Sequence, residues 1–287
     1  MKQIEINSLE ELFKTVKSYN GENNYWFRGH SSVNYILNPS AYREMYVFED
    51  QFYRPVEPRK VDDFNNHGDR VILFDTLYLN SFLTKMEEEN IEYDKTLNIV
   101  EKYCLAQHYG VWTPMLDWTT DFSVALFFAT DNRKKGQDCA VFLFEPRKWN
   151  DFVCREEKIF NSEEVIKKSN LYPLAMVGTR KDKRMCRQSG NFTVQGNMVW
   201  PLDHYDTKED VLIKIIVPGN VADELKEYLE AFGINHDSIY VEDDEKDRVA
   251  KSLKDINETT RNKKLDELRK KWLATPDKDK GISHHVL

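Results

Sequence analysis

The chain has 287 residues, with 41 Lys and Arg against 49 Asp and Glu, a formal net charge of −8. That acidity excludes a protein that holds nucleic acid by overall charge, though not a local basic groove. A mean hydropathy of −0.66 and short apolar runs exclude a membrane span, which needs about 18–20 apolar residues. Residues 1–11 are polar and lack an apolar signal core. Cys104, Cys139, Cys154 and Cys186 show no CxxC spacing and read as reduced thiols, so the expectation is a cytoplasmic protein.

In chain order, Ser8 and Glu11 suggest a capping box for a helix with Leu9, Leu12, Phe13 and Val16 at helical spacing. Residues 25–27 read as a strand that runs into Arg28-Gly29-His30. Residues 34–57 look irregular and aromatic-rich. Helices are expected over 69–85 and over 97–109, the second stopped by Gly110. Asp121 can cap a helix whose Phe122, Ala125, Leu126 and Ala129 fall at i, i+3, i+4 and i+7. The apolar run 139–144 suits a strand buried on both faces. A short strand over 191–195 and a β-branched strand over 211–217, ended by Pro218, follow. The spacing then predicts a helix over 221–232 with Gly233 as its stop, an edge strand over 238–241, charged helices over 245–254 and 258–272, and a frayed tail from Pro276. Without regular βαβ alternation the fold class is α+β, with a mixed or antiparallel central sheet and clustered helices. No linker is visible. One domain is expected over 1–255, with a charged helix and tail over 256–287.

The seven histidines are scattered, with no HExxH and no Cys/His cluster, so no metal site is expected. GxGxxG, P-loop and serine-elbow motifs are missing. Three polar sites stand out. Arg28, at the end of an apolar strand, needs an anion or a dense set of acceptors; it is either a structural ion pair or an anion clamp. Gln107-His108 and residues 113–120 precede an apolar helix, whose N-terminus offers N–H groups; ordinary capping by Thr119, Thr120 or Asp121 explains them equally. Arg184, Arg187 and Gln188 precede a strand, in what is otherwise a solvated basic loop. Residues 258–271 carry six basic against three acidic residues. They form either a solvated face or a surface for a nucleic-acid or protein partner.

The order of these segments resembles the FRG domain family, named for its Phe-Arg-Gly triplet. The carriers are Phe27-Arg28-Gly29 with Leu37-x-Pro39-Ser40-x-x-Arg43, then Gln107-His108-x-Gly110-x-x-Thr113-x-x-Leu116-Asp117-x-Thr119, then Ala125-Leu126-x-Phe128-Ala129, then Arg184-x-x-x-Gln188-x-Gly190-x-Phe192. His30 stands where many members carry Gln. A second resemblance, over fewer residues, is to ADP-ribosyltransferases of the arginine-serine-glutamate type. Phe27-Arg28-Gly29 and Thr119-Thr120 are similar in order to their Arg-Gly and Ser-Thr-Ser elements. That resemblance implies an ADP-ribosyltransferase-like fold and NAD as cofactor. Arg28, Asp117 and Gln188 would then be the catalytic candidates, and Arg28, Gly29, Gln107, His108, Thr119 and Thr120 the cofactor-binding ones. It also implies a bacterial toxin or defence effector. The alternative is a non-catalytic module that recognises nucleic acid or a phosphorylated ligand. In either case Arg28, Gln107, His108, Asp117, Thr119 and Gln188 are expected to line one cleft.

Overall fold

The computed structural model describes residues 1–21, 24–61, 70–168, 171–178, 190–208, 210–240 and 255–281. They form two compact units, 1–37 with 115–242 and 38–114 with 243–287.

The first unit is built on a seven-stranded sheet. Its strands are β1 (Lys2–Glu5), β2 (Trp26–His30), β6 (Met115–Thr119), β7 (Cys139–Phe144), β8 (Leu174–Val177), β9 (Gly190–Val194) and β10 (Leu212–Val217). The order is β1-β10-β7-β2-β6-β9-β8. β1 runs parallel to β10 and every other pairing is antiparallel, so the sheet is mixed. The apolar run of β7 is explained by its position near the middle of the sheet, with both faces covered. Val141 and Leu143 pack with Leu12 of α1 (Leu9–Tyr19), Ala125 of α4 (Phe122–Thr130) and Leu225 of α7 (Gly219–Ala231). Ala140, Phe142 and Phe144 pack with Trp26, Trp118 and Trp149 on the other face. Trp149 lies on α5 (Pro146–Cys154), whose first turn is capped by Glu145. α6 (Ser162–Lys167) and a single turn, α8 (His236–Ile239), complete the described helices of this unit. A clasp fixes the turn before β7: the buried Arg133 guanidinium donates to Asp223 of α7, and Asp223 also accepts the Gly136 N–H at 3.1 Å.

The second unit has a three-stranded sheet, order β4-β3-β5, from β3 (Tyr46–Glu49), β4 (Pro55–Lys60) and β5 (Arg70–Ile72). Its helices are α2 (Asp75–Glu88), α3 (Ile99–His108) and α9 (Ile256–Ala274). The turn joining β3 to β4 is organised by Asp50, 1% exposed, whose carboxylate accepts the backbone N–H groups of Phe52 and Arg54 and the Arg54 Nε–H. Burial opposes the Asp50 charge, but these hydrogen bonds and the Arg54 cation outweigh it and hold the carboxyl below its ordinary value. A depressed folded-state pKa adds stability above the unfolded-state pKa of about 3.9, and that stability is lost as pH falls through the folded value. The wild-type melting temperature should therefore drop with acidification below about pH 4, and more steeply than in Asp50→Asn.

Several expectations are corrected. β6 occupies the stretch expected to be a polar lead into α4, because Leu116 and Trp118 are buried and Trp118 stacks on Phe144 at 4.6 Å between centroids. The irregular stretch 34–57 contains β3 and part of β4, a ladder shortened by an irregularity between Val47 and Glu49. The helix expected over 69–85 begins only at Asp75, since Val71 and Ile72 pair with Val47 and Tyr46. Where the start of an edge strand was expected over 238–241, Ser238 and Ile239 belong to the one-turn α8, because Asn235 and Ser238 form a reciprocal cap; Val241 lies outside the described residues. The tail does not fray at Pro276: Asp277–Asp279 form a 3₁₀ turn and the Gly281 N–H reaches the Pro55 carbonyl at 2.9 Å. The helix expected over 245–254 lies outside the described residues. Among the described residues no helix is long and apolar enough to cross a membrane, and no cluster could hold a metal ion.

Candidate functional site

Alternation along β2 sends Trp26, Arg28 and His30 to one face, and Phe27 and Gly29 to the face covered by α4. Gly29 is there because nothing larger fits. A Cβ at this position would lie 1.9 Å from the Ala125 carbonyl oxygen and 2.4 Å from the Ala129 nitrogen. The space over the Gly29 Cα is filled by α4, so the glycine permits close packing of β2 on that helix.

Arg28 is held between two strands. β2 and β6 register directly at Phe27 and Thr119. Just beyond that pair, Arg28 Nη1 donates to the Asp117 carbonyl oxygen at 2.7 Å, and Nε donates to His30 Nε2 at 2.9 Å. His30 is 5% exposed and packs edge-on against Phe142. Because its Nε2 accepts, the neutral ring carries its proton on Nδ1, which faces the Tyr35 carbonyl oxygen at 3.2 Å. The Asp117 carboxylate lies 3.9 Å from Arg28 Nη1 and its side chain is 61% exposed. The cap of α4 is Asp121, which accepts the Ser123 N–H. Thr119 is buried and its Oγ1 accepts the Asp121 N–H, whereas Thr120 is exposed.

In the second unit, Gln107 does local work. Thr113, fully buried, donates its hydroxyl to Gln107 Oε1, while its N–H reaches Ser40 Oγ at 3.0 Å and its carbonyl accepts the Ala41 N–H. Two of the quoted sequence segments are thus tied together. Gly110, in the left-handed region at φ +82, ends α3 as expected. Asn257 of α9 clasps this loop: its side chain accepts the Trp112 N–H at 3.0 Å and donates to the Gly110 carbonyl at 3.0 Å. Asn257 was not foreseen, since a lone Asn at the start of a charged helix carries no signal. Asn257→Ala would leave two backbone groups without this partner and should cost about 1–3 kcal/mol, read as a lower urea midpoint. His108 sits at the end of α3 with its ring against Tyr109.

Of the residues expected to share a cleft, Arg28, Asp117 and Thr119 come together in the first unit. Gln107 and His108 belong to the second. Gln188, with Arg184 and Arg187, lies outside the described residues. The basic surplus of α9 is partly used internally, by Arg261 on Glu44, Lys271 on Glu49 and Lys264 on Glu267.

Residues 23–138 match the family model of the FRG domain. That span contains the first three of the segments quoted above, while the segment around Gln188 falls beyond it. No curated protein and no solved structure matches the chain.

Proposed function

We propose that this chain, which carries an FRG domain over residues 23–138, is an NAD-using enzyme whose working residues lie on β2, β6 and the turn after β6. One observation carries the reading: Phe27 and Thr119 are paired, so the Arg28-Gly29 and Thr119-Thr120 elements stand on neighbouring strands. The donor set fits NAD. A fixed guanidinium suits a diphosphate, and an exposed carboxylate suits a developing positive charge. NAD, when bound, would supply a glycosidic bond whose cleavage releases nicotinamide and passes the ribose carbon to water or another nucleophile, with positive charge developing on the ribose in the transition state. Arg28 binds the diphosphate. Thr120 orients the ribose in place of Thr119, whose hydroxyl is already used on Asp121. Asp117 carries the negative charge that favours the cationic transition state.

The second reading, a non-catalytic module for a phosphorylated ligand or nucleic acid, uses the same Arg28, held by His30 and the Asp117 carbonyl, but asks no chemistry of the Asp117 carboxylate. Those bonds make Arg28 a fixed part of the sheet. Asp117→Asn separates the two. It leaves the backbone carbonyl and the fold in place but removes the charge. We expect NAD binding within about threefold of wild type and nicotinamide release slowed by about 100-fold or more. Binding of NAD with no release of nicotinamide by the wild type would support the module, and no binding at all would end the NAD reading.

A further inference from the structure

The second unit holds a cavity of about 580 Å³ between β3, β4 and α9. It has no part in the reading given above. Its wall is polar, and three cations reach it: Lys60, Arg261 and Arg269. Two carboxylates, Glu44 and Asp266, oppose them, so the wall carries a surplus of one positive charge.

The arrangement of donors is more informative than the count. Glu44, whose side chain is 16% exposed, sits where three donors converge. Lys60 Nζ reaches its Oε1 at 2.7 Å, while Arg261 Nη1 and Tyr46 Oη reach Oε2 at 3.2 and 3.0 Å. Burial opposes the Glu44 charge, but the Lys60 and Tyr46 hydrogen bonds and the charges of Lys60 and Arg261 overcome it and keep the carboxyl below its ordinary value. Arg261 is further fixed by its position 5.6 Å from the Trp112 ring centroid. The donors are thus already arranged around an oxyanion. Further along α9, Arg269 and Asp266 are only loosely paired, at 3.7 Å, and both are more than half exposed. An incoming anion can take Arg269 from Asp266 at little cost, because exposed pairs contribute about 1 kcal/mol or less.

We propose that this cavity binds a small phosphorylated ligand, with a phosphate held by Arg269 once it leaves Asp266, beside Lys60 and Arg261. The volume suits a nucleotide-sized molecule and the polar wall suits its phosphates rather than an apolar body. The site differs in residues and in unit from the one around Arg28.

Calorimetric titration of the full chain with inorganic pyrophosphate and with ADP tests this. Arg269→Glu should weaken pyrophosphate binding about tenfold or more, and Asp266→Asn should tighten it severalfold by removing the competing carboxylate. Both positions are exposed, so the melting temperature should stay close to wild type. ADP binding more tightly than pyrophosphate would assign the cavity a nucleotide; equal affinities would assign it the phosphates alone. No binding of either at millimolar concentration overturns the proposal. So does equal affinity across the wild type and both variants. Loss of pyrophosphate binding in Arg28→Lys, with Arg269→Glu unaffected, would move the anion to the other site and leave this one refuted.

Discussion

Gly29→Ala should be among the most damaging single-methyl changes in the first unit. The added carbon would meet backbone atoms, the Ala125 carbonyl at 1.9 Å and the Ala129 nitrogen at 2.4 Å. A flexible side chain could swing away, but a helix backbone moves only as a whole. The facing residues are already alanines, so no smaller neighbour is there to give ground. Displacing α4 would also pull Ala125, Leu126 and Ala129 out of a core shared with Phe27, Val141 and Leu143. Overpacking usually costs about 1–3 kcal/mol; with two backbone clashes the expected loss is at or above the top of that range. Gly110→Ala is the control. It has a positive φ but nothing within 4 Å of the added carbon, so only conformational strain of about 1 kcal/mol is expected. Urea midpoints of the two variants compare these costs directly. A Gly29→Ala midpoint equal to that of Gly110→Ala would mean that α4 does not press on β2.

The glycine of the triplet illustrates what could be read in advance. A Gly after an arginine in a strand signals close approach, but whether a ligand or a helix approaches depends on a partner some hundred residues away. Elements carried by local signals were legible. Asp121 caps α4 through its own next turn and Gly110 stops α3. β7 and β10 announce themselves by unbroken apolar or β-branched runs. β6 was masked because the polar Asp117 and Thr119 imitate a helix lead-in, although only Asp117 is exposed and the residues on either side of it are buried. β1 has a polar alternation with no strand signature of its own, and exists because β10 offers it a parallel edge. At the candidate site, the need of Arg28 for acceptors was legible from its position. The acceptors themselves were not: one is a backbone carbonyl 89 residues away, and no side-chain pattern encodes that.

Arg28→Lys decides whether this arginine serves a ligand, the sheet, or both. Lysine retains the charge but has a single ammonium in place of a fork. Its three N–H donors share one nitrogen, so it cannot reproduce the two separate donor positions, Nε and Nη1, from which Arg28 reaches His30 Nε2 and the Asp117 carbonyl. Loss of one such hydrogen bond should lower stability by about 1–2 kcal/mol, leaving a folded protein. If Arg28 also holds a diphosphate, NAD affinity should fall about tenfold or more in the folded variant, because a charge-assisted bond contributes about 1.5–3 kcal/mol. His30→Gln supplies the complementary measurement. A glutamine amide oxygen can accept from Arg28 Nε in place of the imidazole, and Gln is what many FRG domains carry there. This variant should therefore keep Arg28 in place, with melting temperature and NAD affinity near wild type. His30→Leu removes the acceptor and should lower both. Melting curves and NAD titrations on the three variants resolve the roles. If stability falls in Arg28→Lys and His30→Leu while NAD affinity is unchanged, Arg28 is a bridge between β2 and β6 alone, and the ligand reading of this strand is lost.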